Sequence, residues 1–147
     1  MSHHVLEAAG VSTPATVVEK LHDAARASTA CASAMVASGG METEVLLALD
    51  AADLCTAAAS VLGRRTGDKA VGEAAASAAA LACEASSAAC GAHADHHEHC
   101  RLHAEVTRET AQLLREHAGK LQGYLSKGML VTDEERGIWA DAGSRRY

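Results

Sequence analysis

The 147-residue chain has almost no aromatic side chains, since phenylalanine is absent and aromatics make up only 2% of its residues. It also has no basic stripe, and its formal net charge is −6. Without a basic stripe, and with so few stacking rings, nucleic-acid binding is not expected. We identify no apolar stretch of membrane-spanning length and no signal peptide at the N-terminus. These absences favour a cytoplasmic protein that binds neither nucleic acid nor a membrane.

Alanine is what the sequence has in abundance, with 34 of 147 positions, while proline occurs only once. Alanine is the strongest helix former, and β-branched runs that would favour strands are scarce. The chain is long enough for a single domain with a core of its own. The composition therefore predicts an all-α fold whose helices approach closely through small side chains.

Helix start and stop signals divide the chain into four segments of about 20 residues each. The first helix follows the Thr13-Pro14 start and stops at Gly39-Gly40, and the second stops at Gly63. The third is capped by Asp68. The fourth is capped by Asp95, with Glu98 as its capping-box partner. Short turns between such helices predict an antiparallel four-helix bundle.

This bundle is predicted to occupy residues 13–122, after a flexible N-terminal arm of residues 1–12. A C-terminal tail of residues 123–147 follows. We expect a short helix in it, starting at Thr132 with Glu135 as its capping partner, and Trp139 packed back on the bundle.

The fourth helix carries a stripe of side chains that bind metals. His96, Cys100 and His103 recur at steps of three and four, and His99 borders them. Five of the nine histidines lie between positions 93 and 103. A purely structural helix would carry leucine or valine on such a stripe, so the pattern predicts metal ligands facing the bundle interior.

Each of the other helices also offers sulfur at a position compatible with the interior. Counting turns from the end that holds the turn between the third and fourth helices (the mouth) predicts two groups of ligands. The first comprises Met35, Cys90, Cys100 and His103, and the second comprises Cys31, Cys55 and Cys83. Thiolate, thioether and imidazole together favour Cu(I), with Zn(II) as a competitor. The alternative is that these thiols only fill the core, as free cysteines often do.

Two segments carry a family resemblance: ALDAADLC in the second helix, and ACEASSAACGAHADHHEHCRLHAEV across the third and fourth. Over roughly residues 17–120 the chain resembles the cysteine-rich four-helix-bundle copper-binding proteins, which include the cytosolic bacterial copper storage proteins. The resemblance implies a bundle whose interior cysteines load Cu(I). The positions that match its cysteine pattern are Cys31, Cys55, Cys83, Cys90 and Cys100.

The same resemblance implies that several thiols have been replaced. The family pattern places cysteines near Ala51, Ser86 or Ser87, His103, Thr107 and Thr110, and at Met35. Five thiols hold only a few ions, because each Cu(I) takes two or three soft ligands. The resemblance therefore implies one or two defined sites of mixed ligands.

Three functions are compatible with these residues. The first is sequestration or buffering of cytosolic Cu(I). The second is a copper-dependent metalloenzyme derived from a storage protein, acting by redox chemistry on a small metabolite. The third is a family member that acts through protein contacts. Copper binding follows from the ligands themselves and comes first; the sequence leaves open whether the protein is an enzyme or forms a homo-oligomer.

Overall fold

The computed structural model describes residues 12–64 and 67–126, and this part of the chain is entirely helical and turn structure. Four helices follow one another along it: α1 Ser12–Ser38, α2 Glu42–Leu62, α3 Lys69–Gly91 and α4 Glu98–Ser126. Each helix packs against the next, and α4 closes the bundle against α1. The predicted all-α four-helix bundle is confirmed.

The predicted stop and start signals act as expected at two of the turns. Gly39 and Gly40 have φ angles of 75° and 78°, and the Gly39 N–H donates to the Met35 carbonyl at 2.9 Å. This left-handed conformation favours glycine and ends α1. At the start of α3 the Asp68 carboxylate accepts a hydrogen bond from the Val71 N–H at 3.0 Å.

The predicted start of the fourth helix was wrong. The His93 carbonyl accepts hydrogen bonds from the N–H groups of His96 and His97, so residues 92–97 form a turn that contains Asp95. The helix begins only at Glu98. Its carboxylate accepts from Arg101 Nε at 3.0 Å instead of closing a capping box with Asp95.

The ends of the bundle also differ slightly from expectation. α1 begins at Ser12, which places Thr13 in its first turn, and α4 continues to Ser126, past the predicted limit at 122. The expected N-terminal arm, apart from Ser12, and the expected tail helix at Thr132, with Glu135 and Trp139, lie outside the described residues.

The core consists of two clusters at different heights along the bundle. The mouth cluster is built from the side chains of Cys31, Ala32, Met35, Met41, Ala48, Cys90 and Cys100. The deep cluster is built from Val17, Leu21, Ala24, Cys55, Ala58, Ala59, Ala76, Ala79, Ala80, Cys83, Ala111 and Leu114. Alanine supplies seven of the 12 residues of the deep cluster, so close helix approach rather than large side chains fills this part of the interior.

One helix departs from the expectation that no stretch reaches membrane-spanning length. α2 is long and apolar enough to cross a membrane by length and composition, with a mean hydropathy of 1.8 over 18 residues. Within the bundle its buried face is formed by Ala48, Ala51, Ala52, Cys55, Ala58 and Ala59. Only 33% of that window is buried within the bundle, and Leu46 and Leu49 are exposed on the other face.

Candidate metal site

Three cysteines from three different helices meet in the mouth cluster. The sulfur atoms of Cys31 on α1, Cys90 on α3 and Cys100 on α4 all lie within 4.8 Å of one another. Their side chains are 1%, 0% and 0% exposed. The structure thus brings together two thiols that were predicted as one group and a third that was expected elsewhere.

Cys31 was predicted to lie about one turn below Cys90 and Cys100 and was grouped with the still deeper Cys55 and Cys83, because its depth was counted from the end of its own helix. That count assumes that the helices end at the same height. In the structure α1 continues seven residues beyond Cys31, to Ser38, whereas α3 ends one residue beyond Cys90. At this end α1 therefore projects past α3, and Cys31 is level with Cys90 and Cys100.

A histidine closes the outer side of the three-thiol group. His99 Nδ1 lies 3.4 Å from the sulfur of Cys31 and 3.4 Å from the sulfur of Cys100, and its side chain is half-buried. His96, which shared the predicted metal-binding stripe, is exposed in the turn before α4. No described contact joins His96 to the thiols. Of the two neighbouring histidines, His99 is the one that the fold directs at the sulfurs.

Two methionines cover the thiols from the α1–α2 end. Met35 is fully buried and packs in the mouth cluster, as its predicted place near Cys90 and Cys100 requires. Met41, which the sequence analysis missed, is 6% exposed and packs in the same cluster. The sequence did contain a signal for this position: Met41 comes immediately after the glycine turn between α1 and α2, and that turn lies at the mouth.

His103 is buried one turn below Cys100, and its ring is close enough to the Cys90 thiol to lower the pKa of that thiol. Its Nε2 atom lies 2.7 Å from the Ser86 hydroxyl oxygen, while Nδ1 is buried without a hydrogen-bond partner. Below it, Thr107 donates to the His103 carbonyl at 2.7 Å, so this threonine bonds to its own helix.

The remaining two thiols form a separate pair in the deep cluster. The sulfur atoms of Cys55 on α2 and Cys83 on α3 are 3.4 Å apart, and both side chains are fully buried. The hydrogen bond between them lowers the pKa of Cys55 and raises the pKa of Cys83, and burial adds to the rise. Of the predicted group of Cys31, Cys55 and Cys83, only Cys55 and Cys83 therefore lie together, and Cys31 belongs to the mouth cluster.

The three mouth thiols differ in their readiness to ionise. A hydrogen bond from Cys31 lowers the pKa of Cys90 despite its burial, and contacts with His103 and Ser86 act in the same direction. That bond raises the pKa of Cys31, and burial raises it further. Burial is also the main cause of the raised pKa of Cys100. The mouth cluster thus combines one thiol that ionises more readily than usual with two thiols that hold their protons more tightly.

This donor set is selective by its chemistry. Three sulfurs and one imidazole nitrogen converge on a small buried volume with two thioethers beside it, and soft donors of this kind select Cu(I) and Zn(II) over hard cations. All five cysteines are free thiols, so none is withdrawn from binding by a disulfide. The mouth cluster therefore fits a soft, thiophilic ion.

Comparison with known proteins agrees with this chemistry. Residues 12–119 match the copper storage protein family. A search of curated protein sequences found no match.

Three solved structures of a protein from Streptomyces lividans are similar to the chain. The cytosolic copper storage protein with five coppers is 38% identical over 71% of this chain and 90% of its own, with a TM-score of 0.67. The form loaded with 10 copper equivalents is 37% identical over 72% of this chain and 83% of its own, with a TM-score of 0.68. A histidine-to-alanine variant is 36% identical over 74% and 94%, with a TM-score of 0.70. The chain belongs to the copper storage protein family.

Proposed function

We propose that this protein binds Cu(I) in the cytosol and sequesters or buffers it there. The observation that carries the proposal is the meeting of Cys31, Cys90 and Cys100 within 4.8 Å in a buried site. Thiolate donors suit Cu(I) and keep it reduced. The similar Streptomyces lividans protein is described as a cytosolic copper storage protein. Free, unpaired cysteines also suit a reducing compartment.

The number and grouping of the thiols limit the capacity. Five cysteines fall into a group of three at the mouth and a pair at Cys55 and Cys83. We assign one Cu(I) ion to each group, because each ion takes two or three soft ligands. One structure of the similar protein has five coppers, and another was loaded with 10 copper equivalents. The present chain is therefore proposed as a low-capacity, high-affinity member of its family.

The burial of the mouth site favours a protein that retains its copper ion over an enzyme that turns over a substrate. An enzyme of the alternative kind needs an open coordination position that a metabolite reaches. Here the three mouth sulfurs are at most 1% exposed, and Met35 and Met41 pack in the same cluster. Burial of this degree slows exchange with bulk water and substrate, which suits a protein that holds its ion.

An anaerobic Cu(I) titration against a coloured competing chelator tests the proposal. The wild-type chain is expected to withhold about two equivalents from the chelator, one for each thiol group. The double variant Cys31→Ala/Cys90→Ala is expected to lose the mouth equivalent, and Cys55→Ala/Cys83→Ala serves as the matched control that keeps it. The proposal is wrong if the chelator takes all the copper from the wild-type chain.

A further inference from the structure

A band of buried polar side chains separates the mouth cluster from the Cys55–Cys83 pair. Three helices contribute one residue each to this polar layer: Ser28 on α1, Ser86 on α3 and His103 on α4, all at most 1% exposed. On α2 the same level is filled by Ala51, which lies between Ala48 of the mouth cluster and Cys55 of the deep cluster. An alanine-rich core does not need polar groups here, so the layer calls for a functional explanation.

The polar layer spans a gap that is too wide for a copper ion to cross directly. Cys83 and Cys90 are seven residues apart on α3, which corresponds to about 10 Å of helix rise. Passing an ion between thiolates requires the old and the new ligand on the metal at once. With metal–sulfur bonds of about 2.3 Å, the two donor atoms must then lie within roughly 5 Å of each other.

The ring of His103 lies in this gap, where it contacts Ser86 and the Cys90 thiol. Its Nε2 atom is held 2.7 Å from the hydroxyl of Ser86, which is four residues from Cys90 and three from Cys83. Its Nδ1 atom is buried and has no hydrogen-bond partner. When Nε2–H donates to Ser86, the lone pair of Nδ1 is available to a metal ion.

The other residues of the polar layer are poorer donors for Cu(I) than His103. Ser28 Oγ is also buried without a hydrogen-bond partner, but a neutral hydroxyl is a hard donor that binds Cu(I) poorly. Ser86 is engaged with the histidine ring, and Ala51 has no donor at all. Within the polar layer, the imidazole is thus the one side chain soft enough to hold a Cu(I) ion in passage.

We propose that His103 relays Cu(I) from the mouth cluster to the Cys55–Cys83 pair, an inference that rests on the proposed copper-binding function. The ion keeps its charge throughout, since only ligands exchange. Each new copper–thiolate bond releases the proton of a thiol at the pair. The mouth thiolates that give up the ion take up protons or bind the next ion. Ser86 positions the ring by holding Nε2.

Two substitutions of His103 by side chains of similar size distinguish a role in copper relay from a role in packing alone. His103→Gln removes the soft donor, whereas His103→Met replaces it with a thioether. Under anaerobic stopped-flow conditions with two equivalents of Cu(I) delivered by a weak coloured chelator, the wild-type chain is expected to fill the mouth first and the pair second. His103→Gln is expected to slow the second phase by at least tenfold while the mouth still takes up its ion in a first phase, and His103→Met is expected to restore the second phase.

Further variants identify the phases and control for packing. Cys55→Ala/Cys83→Ala is expected to lose the second phase entirely. Thr107→Ala, one turn deeper on α4 and also buried, is the matched control and is expected to retain both phases. Circular dichroism and retention of the first phase report that each variant has folded.

The outcomes distinguish failure of the relay from failure of the proposed function. An unchanged second phase in His103→Gln overturns the relay, as does a wild-type chain that holds a single ion. Loss of first-phase affinity in His103→Gln also overturns it, because His103 would then be a fixed ligand of the mouth site. A wild-type chain that holds no Cu(I) against the chelator overturns the copper-binding function itself.

Discussion

The Nδ1 atom of His99 lies 3.4 Å from the sulfur of Cys31, a residue 68 positions earlier in the chain. The same nitrogen lies 3.4 Å from the sulfur of the adjacent Cys100. The ring therefore links α1 to α4 at the outer side of the three-thiol group. In this place it either ligates the metal directly or fixes the two sulfurs by hydrogen bonding.

The contact predicts that His99→Ala weakens Cu(I) binding at the mouth. Loss of a histidine that ligates or orients the thiols is expected to lower the affinity by roughly 10- to 100-fold. His96→Ala is the matched control, because His96 is exposed and only three residues away. Competition with a Cu(I) chelator measures both. Equal affinities in the two variants would remove His99 from the site.

The contrast between these two histidines shows what the sequence was able to predict. The helical stripe was derived for a helix starting soon after Asp95, which put His96 on its interior face. Because α4 begins at Glu98, His96 lies in a turn where helical periodicity does not apply, while His99 lies in the first turn of the helix. Helix number, glycine stops and the Asp68 cap depend on local sequence and were predictable.

The relative heights of the helices were not predictable in the same way. Grouping Cys31 with Cys55 and Cys83 required knowledge of how far α1 projects beyond α3, which depends on packing between helices rather than on any one segment. The pairing of Ser86 with His103 across α3 and α4 is set by the same packing. Residue types predicted the metal chemistry, but three-dimensional packing determines which sulfurs share an ion.

The protonation states at the mouth predict that Cu(I) affinity increases with pH. Cys31 and Cys100 have raised pKa values, through hydrogen bonding and burial respectively, so both carry protons that a bound metal must displace. Cys90 has a lowered pKa and contributes little proton release. Between about pH 7 and 8.5, above the ordinary range of imidazole titration, each displaced proton adds about one logarithmic unit of affinity per pH unit.

The expected slope is therefore about two logarithmic units per pH unit for the mouth site. The sign follows because fewer protons compete for the thiolates as the pH rises. The measurement is made on Cys55→Ala/Cys83→Ala, which isolates the mouth. Adding Cys100→Ala is expected to reduce the slope by about one, because it removes one protonated thiol and leaves the hydrogen bond between Cys31 and Cys90 in place. A slope near zero would contradict the protonated state of these two thiols.

A stability prediction concerns the deep cluster. Leu114 is 1% exposed and is among the few large side chains in a cluster that is mostly alanine. Leu114→Ala leaves a cavity that small neighbours fill poorly, so it is expected to lower the free energy of unfolding by about 2–5 kcal/mol. Urea denaturation of the metal-free protein measures this change.

Leu102→Ala is the control for that experiment, because Leu102 is 49% exposed on the same helix. Its substitution is expected to change the free energy of unfolding by less than about 0.5 kcal/mol. Folded Leu114→Ala should still bind copper at the mouth, since Leu114 belongs to the deep cluster only. Similar losses in both variants would mean that the deep cluster is not the main source of stability.

The last prediction separates Cu(I) from Zn(II) at the mouth. Three thiolates satisfy Cu(I) without a further ligand, whereas Zn(II) in a closed site needs four, with His99 as the fourth. Zn(II) is therefore expected to bind more weakly, and one equivalent of Cu(I) is expected to displace it under anaerobic conditions. His99→Ala should weaken Zn(II) more than Cu(I). Metal analysis after desalting checks the displacement, and a chain that retains Zn(II) in the presence of Cu(I) would reassign the site to zinc.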